Sequence, residues 1–304
     1  MKVLPPALIS LLIPAVMVAA PLTTDQLRSA LSSNDVVWNE PGNSSADSMP
    51  LGNGDIGLNV WTEQNGDIVL YIGKTDAWSE NPKGTTGLAK VGKVRLSTAP
   101  ALFSGTNGFS QALRLYDGQM VIKGAGGELR LWVDANAPVI HAEIKGSNPI
   151  VLTASLDPYR ALVSSAVTND ATNNLSQFMQ PTLEELKPDY HAEGLKDRLA
   201  WCHFDGTTNG LGNPTIPEVV NWGFGALVQG RDMKASGTGT LSSQSSVDHE
   251  VAITVASGKA GSDKEWIEKV LHASTASIPK ADDEQWHAHT AWWHAFWDRS
   301  YLFL

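Results

Sequence analysis

The run from Asp47 to Glu80, DSMPLGNGDIGLNVWTEQNGDIVLYIGKTDAWSE, constrains this chain more than any other stretch. Asn65-Gly66 is the dipeptide that best tolerates two positive-φ positions, so it predicts a two-residue hairpin turn. That turn pairs Thr62 with Val69, Trp61 with Leu70 and Val60 with Tyr71. Leu58, Val60, Val69 and Tyr71 then share one face, and Trp61, Ile68, Leu70 and Ile72 share the other. Both faces are apolar, which suits a hairpin buried between two layers.

The flanks of the hairpin differ in character. Ahead of it, Leu51-Gly52-Asn53-Gly54-Asp55-Ile56-Gly57 permits tight turns and close backbone approach. Its glycine spacing is not that of a dinucleotide loop, and no helical pattern follows. Behind it, Lys74, Asp76 and Trp78 form a predicted loop with two opposite charges and a flat apolar ring. Sugars are held by such sets, polar groups on hydroxyls and an aromatic face against C–H. Lys74, Asp76 and Trp78, with Asn53 and Asp55, are therefore the candidate carbohydrate-binding residues. A salt-bridged loop with a half-buried indole is the plainer alternative.

Further strands follow at turn-bounded intervals. Asp117-Gly118 predicts a second hairpin between Leu113–Tyr116 and Met120–Ile122. Glu128–Asp134, Val139–Lys145 and Ile150–Leu156 are separated by glycine- or proline-bearing turns. Strands return near 198–204, 223–228 and 250–255 after a long stretch rich in Pro, Asn and Gly. Short strands without alternating helices predict a mainly β fold, an antiparallel β-sandwich. The chain closes in helical patterns. Ser262-Asp263-Lys264-Glu265 is a capping box before Trp266, Ile267, Val270 and Leu271. Pro279 ends that helix. A second carries Trp286, Thr290, Trp293 and Trp297 at helical spacing, widened by Trp292 and Phe296. One side of this stripe is expected in water, driving self-association through residues 286–304.

Charge and cysteine content exclude several classes. The net charge of −10, with no basic patch, argues against nucleic acid as a partner. The single cysteine, Cys202, lies in an apolar run and reads as a buried, inert thiol. Residues 1–20 have the layout of a secretory signal peptide, too short for a membrane span, so the expected location is extracellular. No later stretch is long and apolar enough to cross a bilayer. If the chain is exported by a eukaryote, Asn43-Ser44-Ser45 and Asn174-Leu175-Ser176 are glycosylation acceptors.

The runs MPLGNGDIGLNVW and NGDIVLYIGKTDAWSE, then Leu131–His141 and Trp292–Ser300, resemble the N-terminal β-sandwich of domain of unknown function 5703. That domain precedes six-hairpin (α/α)6 glycosidase barrels. More distantly the chain is similar to the N-terminal domain of the fucosidase-type glycoside hydrolase family 95. The resemblance covers nearly all of the chain after about residue 36. It implies a supersandwich-type β-sandwich over 36–258 and a helical linker over 262–304, with a barrel beyond it that this sequence lacks. Trp286, Trp293, Phe296 and Trp297 are then expected to pack between the domains. Where the family pattern reads Trp-Tyr-His-Arg-Asn, this chain has Trp201-Cys202-His203-Phe204-Asp205, so no role is carried over there.

Chemistry is harder to place. In the proteins this chain resembles the catalytic carboxylates lie in the barrel, so no catalytic residue is assigned. Asp47, Asp55, Asp76, Asp134, Asp157 and Asp205 all lie near turns, but no spacing selects an acid/base pair. His287, His289 and His294 do not converge on one helix face with a third donor, and no metal site is predicted. No cofactor motif occurs. Three functions remain: the sandwich part of a secreted glycosidase-like protein, a stand-alone carbohydrate-binding module, or an enzyme with its site inside these residues.

Overall fold

The computed structural model describes residues 22–80, 86–157, 189–205, 220–273 and 283–300. The signal-like segment 1–20, Asn174, Pro279 and the last four residues lie outside them. In chain order the elements are α1 (Thr24–Ser32), β1 (Val36–Trp38), β2 (Met49–Gly52), β3 (Ile56–Thr62), β4 (Ile68–Glu80), β5 (Thr86–Ala99), β6 (Ser110–Arg114), β7 (Gln119–Gly124) and β8 (Gly127–Val133). They continue with β9 (Val139–Leu156), β10 (Tyr190–His191), β11 (Arg198–Asp205), β12 (Trp222–Gly230), β13 (Lys234–Gly237), β14 (Thr240–Ser242), β15 (Ser246–Lys259), α2 (Asp263–Ala273) and α3 (Asp283–Trp297). The fold is mainly β and antiparallel throughout its strand pairs, with helices at the C-terminal end.

Two layers share one strand. The first runs β1-β6-β7-β8-β9-β15-β12-β11-β10. The second runs β2-β3-β4-β5-β9-β14-β13. Residues 139–146 of β9 pair with β8 and β15, whereas Val151–Leu156 pair with β5 and Thr153–Ser155 with β14. The switch falls in Gly146-Ser147-Asn148-Pro149, where proline and glycine weaken a continuous ladder. Between the layers lies one apolar core. Ile68, Leu70, Ile72, Val94 and Leu96 of the second layer share it with Leu129, Leu131, Ile140, Phe224 and Ile253 of the first. Alternate residues therefore point inward from both layers, as sandwich packing requires.

The central hairpin forms with a register one residue from the expected one. Val60 faces Leu70 and Trp61 faces Val69. Glu63 N–H donates to the Asp67 carbonyl at 2.8 Å, and Gly66 N–H donates to the Glu63 carbonyl at 2.8 Å. The loop thus spans Gln64, Asn65 and Gly66, not two residues. The Asn65 side-chain oxygen accepts from Asp67 N–H at 3.0 Å, so Asn65 closes a local side-chain turn instead of entering a type I′ pair. Gly66 has φ +90°, and a Cβ there would strike the Ser104 backbone. The shift regroups the faces. Leu58, Val60, Ile68, Leu70 and Ile72 enter the main core, while Trp61, Val69 and Tyr71 form a separate buried cluster. Both faces are indeed apolar.

Five strands, β2, β5, β10, β13 and β14, have no clear signature in the sequence pattern. β5 is interrupted by Lys90, Gly92, Lys93 and Arg95, yet Val91, Val94 and Leu96 are buried. Gly92 is required because the Trp201 ring packs where its Cβ would be. The polar β13–β14 pair carries little apolar pattern at all. The Asp117-Gly118 turn is a four-residue loop, since Leu113 pairs with Met120 and Arg114 with Gln119.

Both C-terminal helices cover the outer side of the first layer. Trp266, Ile267 and Val270 of α2 pack on Ala200, Cys202, Phe204 and Leu227. Its start is held by Ser262 Oγ, which accepts from Glu265 N–H at 3.2 Å, while the Glu265 carboxylate accepts from Gly261 N–H at 2.8 Å. Cys202 is buried within this contact. Helix α3 lies over β8 and the turn between β6 and β7, and the residue it buries completely is His289, not a tryptophan.

Candidate functional site at the sandwich rim

The candidate carbohydrate residues come together at one rim of the second layer. Lys74, Asp76 and Trp78 stand on strand β4, not in a loop, while Asn53 and Asp55 lie in the turn between β2 and β3. Gly73 pairs with Lys90 and Trp78 with Leu88, so Lys74, Thr75, Asp76 and Ala77 stand opposite Ala89 alone. Such a bulge bends a strand and re-aims its side chains. Ala77 is driven into the core, while Lys74, Asp76 and Trp78 are presented at the rim.

Lys74 is the hub. Its side chain is only 10% exposed, and its ammonium donates to Asp55 Oδ1 and Asp76 Oδ1, each at 2.9 Å. Asp55 Oδ1 also accepts from Thr75 Oγ at 2.8 Å. Asp76 Oδ2 accepts from Ser257 Oγ at 2.7 Å, and the Asp76 carbonyl accepts from Trp222 Nε1 at 2.9 Å. Burial alone would raise the Asp55 pKa, but the Lys74 ammonium and the Thr75 hydroxyl together hold it below the usual carboxylate value. Burial would lower Lys74, and the hydrogen bonds and charges of Asp76 and Asp55 outweigh it, so its pKa is raised. Hence Asp55 and Lys74 are both charged at neutral pH.

Trp78 supplies the flat surface. The residue is 40% exposed, and its Nε1–H donates to the Thr75 carbonyl at 3.2 Å. The indole is thereby oriented with its polar edge occupied inside the bulge. Asn53 has a different part. Its side-chain oxygen accepts from Asp55 and Ile56 N–H at 3.0 and 2.8 Å, and its amide donates to the Asp134 carbonyl at 2.7 Å. Asn53 thus builds the turn that delivers Asp55. Thr75, Trp222 and Ser257 complete the array and were absent from the sequence reading. Ser257 lies 181 residues from Asp76, and only the pairing of β15 with β12 beside the rim brings it there. A separate cavity of about 360 Å³, lined by His191, Glu193, Arg198 and Thr238 among others, contains none of the rim residues.

The residues assigned to inter-domain packing occupy the outer side of the first layer. Trp286 meets Trp132 edge-on at 5.5 Å and lies under the Arg130 guanidinium at 4.2 Å. Trp293 packs on Gly118, where a side chain would collide with the indole. Trp297 Nε1 donates to the Leu115 carbonyl at 2.7 Å. Phe296 stacks on Trp292 with centroids 5.7 Å apart, and Trp292, at 39%, is the exposed large ring of the helix. Trp293 and Trp297 are therefore packed on this chain's own sheet, while Trp292 lies exposed on the other side of the stripe. Among the described residues no group of three or more His, Cys, Asp or Glu is placed to hold a metal ion. No helix among them is long and apolar enough to cross a membrane.

The architecture is that of an antiparallel β-sandwich whose outer sheet face is capped by two C-terminal helices. The chain belongs to the family described as Domain of unknown function (DUF5703), whose N-terminal domain matches residues 37–302. No curated protein matches it. Among solved structures it is similar to a protein described as a kojibiose phosphorylase from human microbiome, at 10% identity and a TM-score of 0.46. That match takes in 86% of this chain and 38% of the other, so the chain spans well under half the length of that relative.

Proposed function

We propose that this chain is the β-sandwich part of a secreted, glycoside-hydrolase-like protein and that it holds carbohydrate at the Asp55–Lys74–Asp76 rim without cleaving it. Family membership supports the first half, through the resemblance to sandwiches that precede glycosidase barrels. The second half rests on Trp78, an exposed indole fixed by its own N–H beside two carboxylates whose counter-ion is internal. An aromatic face takes the C–H side of a pyranose, and carboxylate oxygens accept from its hydroxyls. Because Lys74 is consumed by Asp55 and Asp76, the rim offers acceptors rather than a free cation, which favours neutral sugars over uronates.

Glycoside hydrolysis needs a carboxyl kept protonated near neutral pH to act as general acid. Asp55 is held in the opposite direction, so it suits ligand holding better than proton donation. The test is calorimetry of the purified chain against neutral oligosaccharides and an oligogalacturonide, with Trp78→Ala as control. Binding of a neutral sugar that Trp78→Ala weakens at least tenfold supports the reading. Absence of binding at millimolar sugar, or binding indifferent to Trp78→Ala, overturns it. Hydrolysis by the wild-type chain that Asp76→Asn abolishes would replace it with an enzyme.

A further inference from the structure

His289 sits at the centre of the contact between α3 and the first layer and is 0% exposed. Its Nδ1 accepts from Ala135 N–H at 3.2 Å, so that nitrogen carries no proton. Its Nε2 lies 3.1 Å from the Asp117 carbonyl and 3.3 Å from the Gly118 carbonyl, both acceptors only, so Nε2 carries the proton. The neutral ring is thus satisfied at both nitrogens by two separate turns of the sheet. A second proton, at Nδ1, would point at the Ala135 N–H and set a charge in a fully buried position.

We propose that His289 is an acid-labile clasp, and that mild acidification lifts the N-terminal half of helix α3 off the sheet. The charged and titratable groups around it come from every element in the contact. Asp134, at the end of β8, is buried and lies 3.8 Å from Nε2 of His141 on β9, which stacks on Trp132. Arg130 on β8 pairs with Glu143 on β9 and covers Trp286. From the β6–β7 turn, the Asp117 carboxylate accepts from or pairs with His294 Nε2 at 2.9 Å. On the helix itself His287 is exposed. Burial is the largest influence on His289 and lowers its pKa from the ordinary 6.5, His141 acting in the same direction. The Asp117 and Gly118 carbonyls and the Asp134 carboxylate oppose this without reversing it.

The direction follows from linkage. A base whose pKa is depressed on docking contributes fully above its undocked value and loses that contribution as pH falls below about 6.5. Asp134 is itself held below the usual carboxylate value, against burial, by His141 and the Asn136 N–H, so it stays charged through this window. Trp297 Nε1 to the Leu115 carbonyl does not titrate. Release is therefore confined to the half of the helix that carries Trp286 and His289.

Native-state hydrogen exchange of the full chain, corrected for intrinsic rates, tests this at pH 7.5 and 5.0. Protection in peptides covering 283–292 should fall severalfold, up to about thirty-fold, the charged-to-neutral ratio of an ordinary imidazole at pH 5. Protection of α2 should change much less. His289→Gln, neutral at both pH values and able to accept and donate in the same places, should remove the pH dependence. Unchanged wild-type protection at 283–292, or an equal fall in His289→Gln, overturns the clasp. Should the Gln helix fail to dock at pH 7.5, the ¹⁵N shifts of wild-type His289 decide. The Nε2–H tautomer protonating below the ordinary value sustains the proposal, and an Nδ1–H tautomer or a charged ring at pH 7.5 defeats it.

Discussion

The rim around Trp78 and helix α3 both present aromatic rings, yet they use them differently. On α3, Trp286, Trp293 and Trp297 are applied to this chain's own first layer, against Trp132, Gly118 and the Leu115 carbonyl. At the rim, Trp78 is exposed and has its N–H tied back into the bulge. An aromatic face can stack on a ligand only where it is exposed, and a polar edge tied to the protein fixes its orientation. Trp78 is therefore the ring proposed as a binding surface, whereas the α3 rings lie mainly against this chain's own sheet, with Trp292 exposed.

Substitutions can break or sharpen this contrast, and the largest effect belongs to Trp132. It is fully buried beneath α3, stacked on His141 at 4.1 Å. Trp132→Ala should lower stability by about 3–5 kcal/mol in urea denaturation, as large-to-small core changes do. A loss comparable to that of an exposed site would mean that α3 does not cover this face. Next is His289→Ala, which leaves the Ala135 N–H and the Asp117 carbonyl without their partner. A loss of about 1–3 kcal/mol at pH 7.5 is expected by the same measurement.

Smaller still is the effect of the Lys74 hub, whose partners are nearly half exposed. Lys74→Met should cost about 1 kcal/mol, given solvent screening of such pairs. Its pH signature is more informative. Asp55 is depressed from 3.8 and Lys74 raised from 10.5. The pairing therefore contributes between these values, is lost as pH falls below the first, and is lost as pH rises past the second. The Lys74→Met difference should be flat between pH 5 and 9 and shrink outside that range; a steady slope across it would contradict the pairing. Smallest is Trp78→Ala, expected to change stability by less than about 0.5 kcal/mol. A loss near that of Trp132→Ala would show the rim indole to be structural.

What was legible in the sequence was what depended on local pattern. The mainly β character, the buried hairpin, the α2 capping box with its Trp266 stripe, and the buried Cys202 all follow from spacing within a few residues. The hairpin register was not, because Asn65 closes onto Asp67 and lengthens the turn by one residue. β5 was hidden by the lysines and arginine on its outer face. At the rim the sequence pointed to Asp55, Lys74, Asp76 and Trp78, which do converge, but it gave Asn53 a ligand's place where the fold uses it to hold a turn. Trp222 and Ser257 reach Asp76 only through the first layer, a placement no local signal carries. On α3 a search for apolar spacing passed over His289, since a histidine at the centre of an interface looks polar until both its nitrogens find partners.

The rim is tested most directly by following the indole N–H resonances of the whole chain while neutral oligosaccharides such as cellotetraose, xylotetraose and mannotetraose are added. Trp78 lies on the proposed platform and Trp222 is bonded to Asp76, whereas Trp132 and Trp286 lie on the outer side of the other layer. With at least one of these sugars, the account predicts saturable shifts at Trp78 and smaller ones at Trp222, with Trp132 and Trp286 unmoved. Saturable shifts confined to Trp286, Trp292 or Trp293, with Trp78 unmoved by every sugar, would place binding on helix α3 and contradict it.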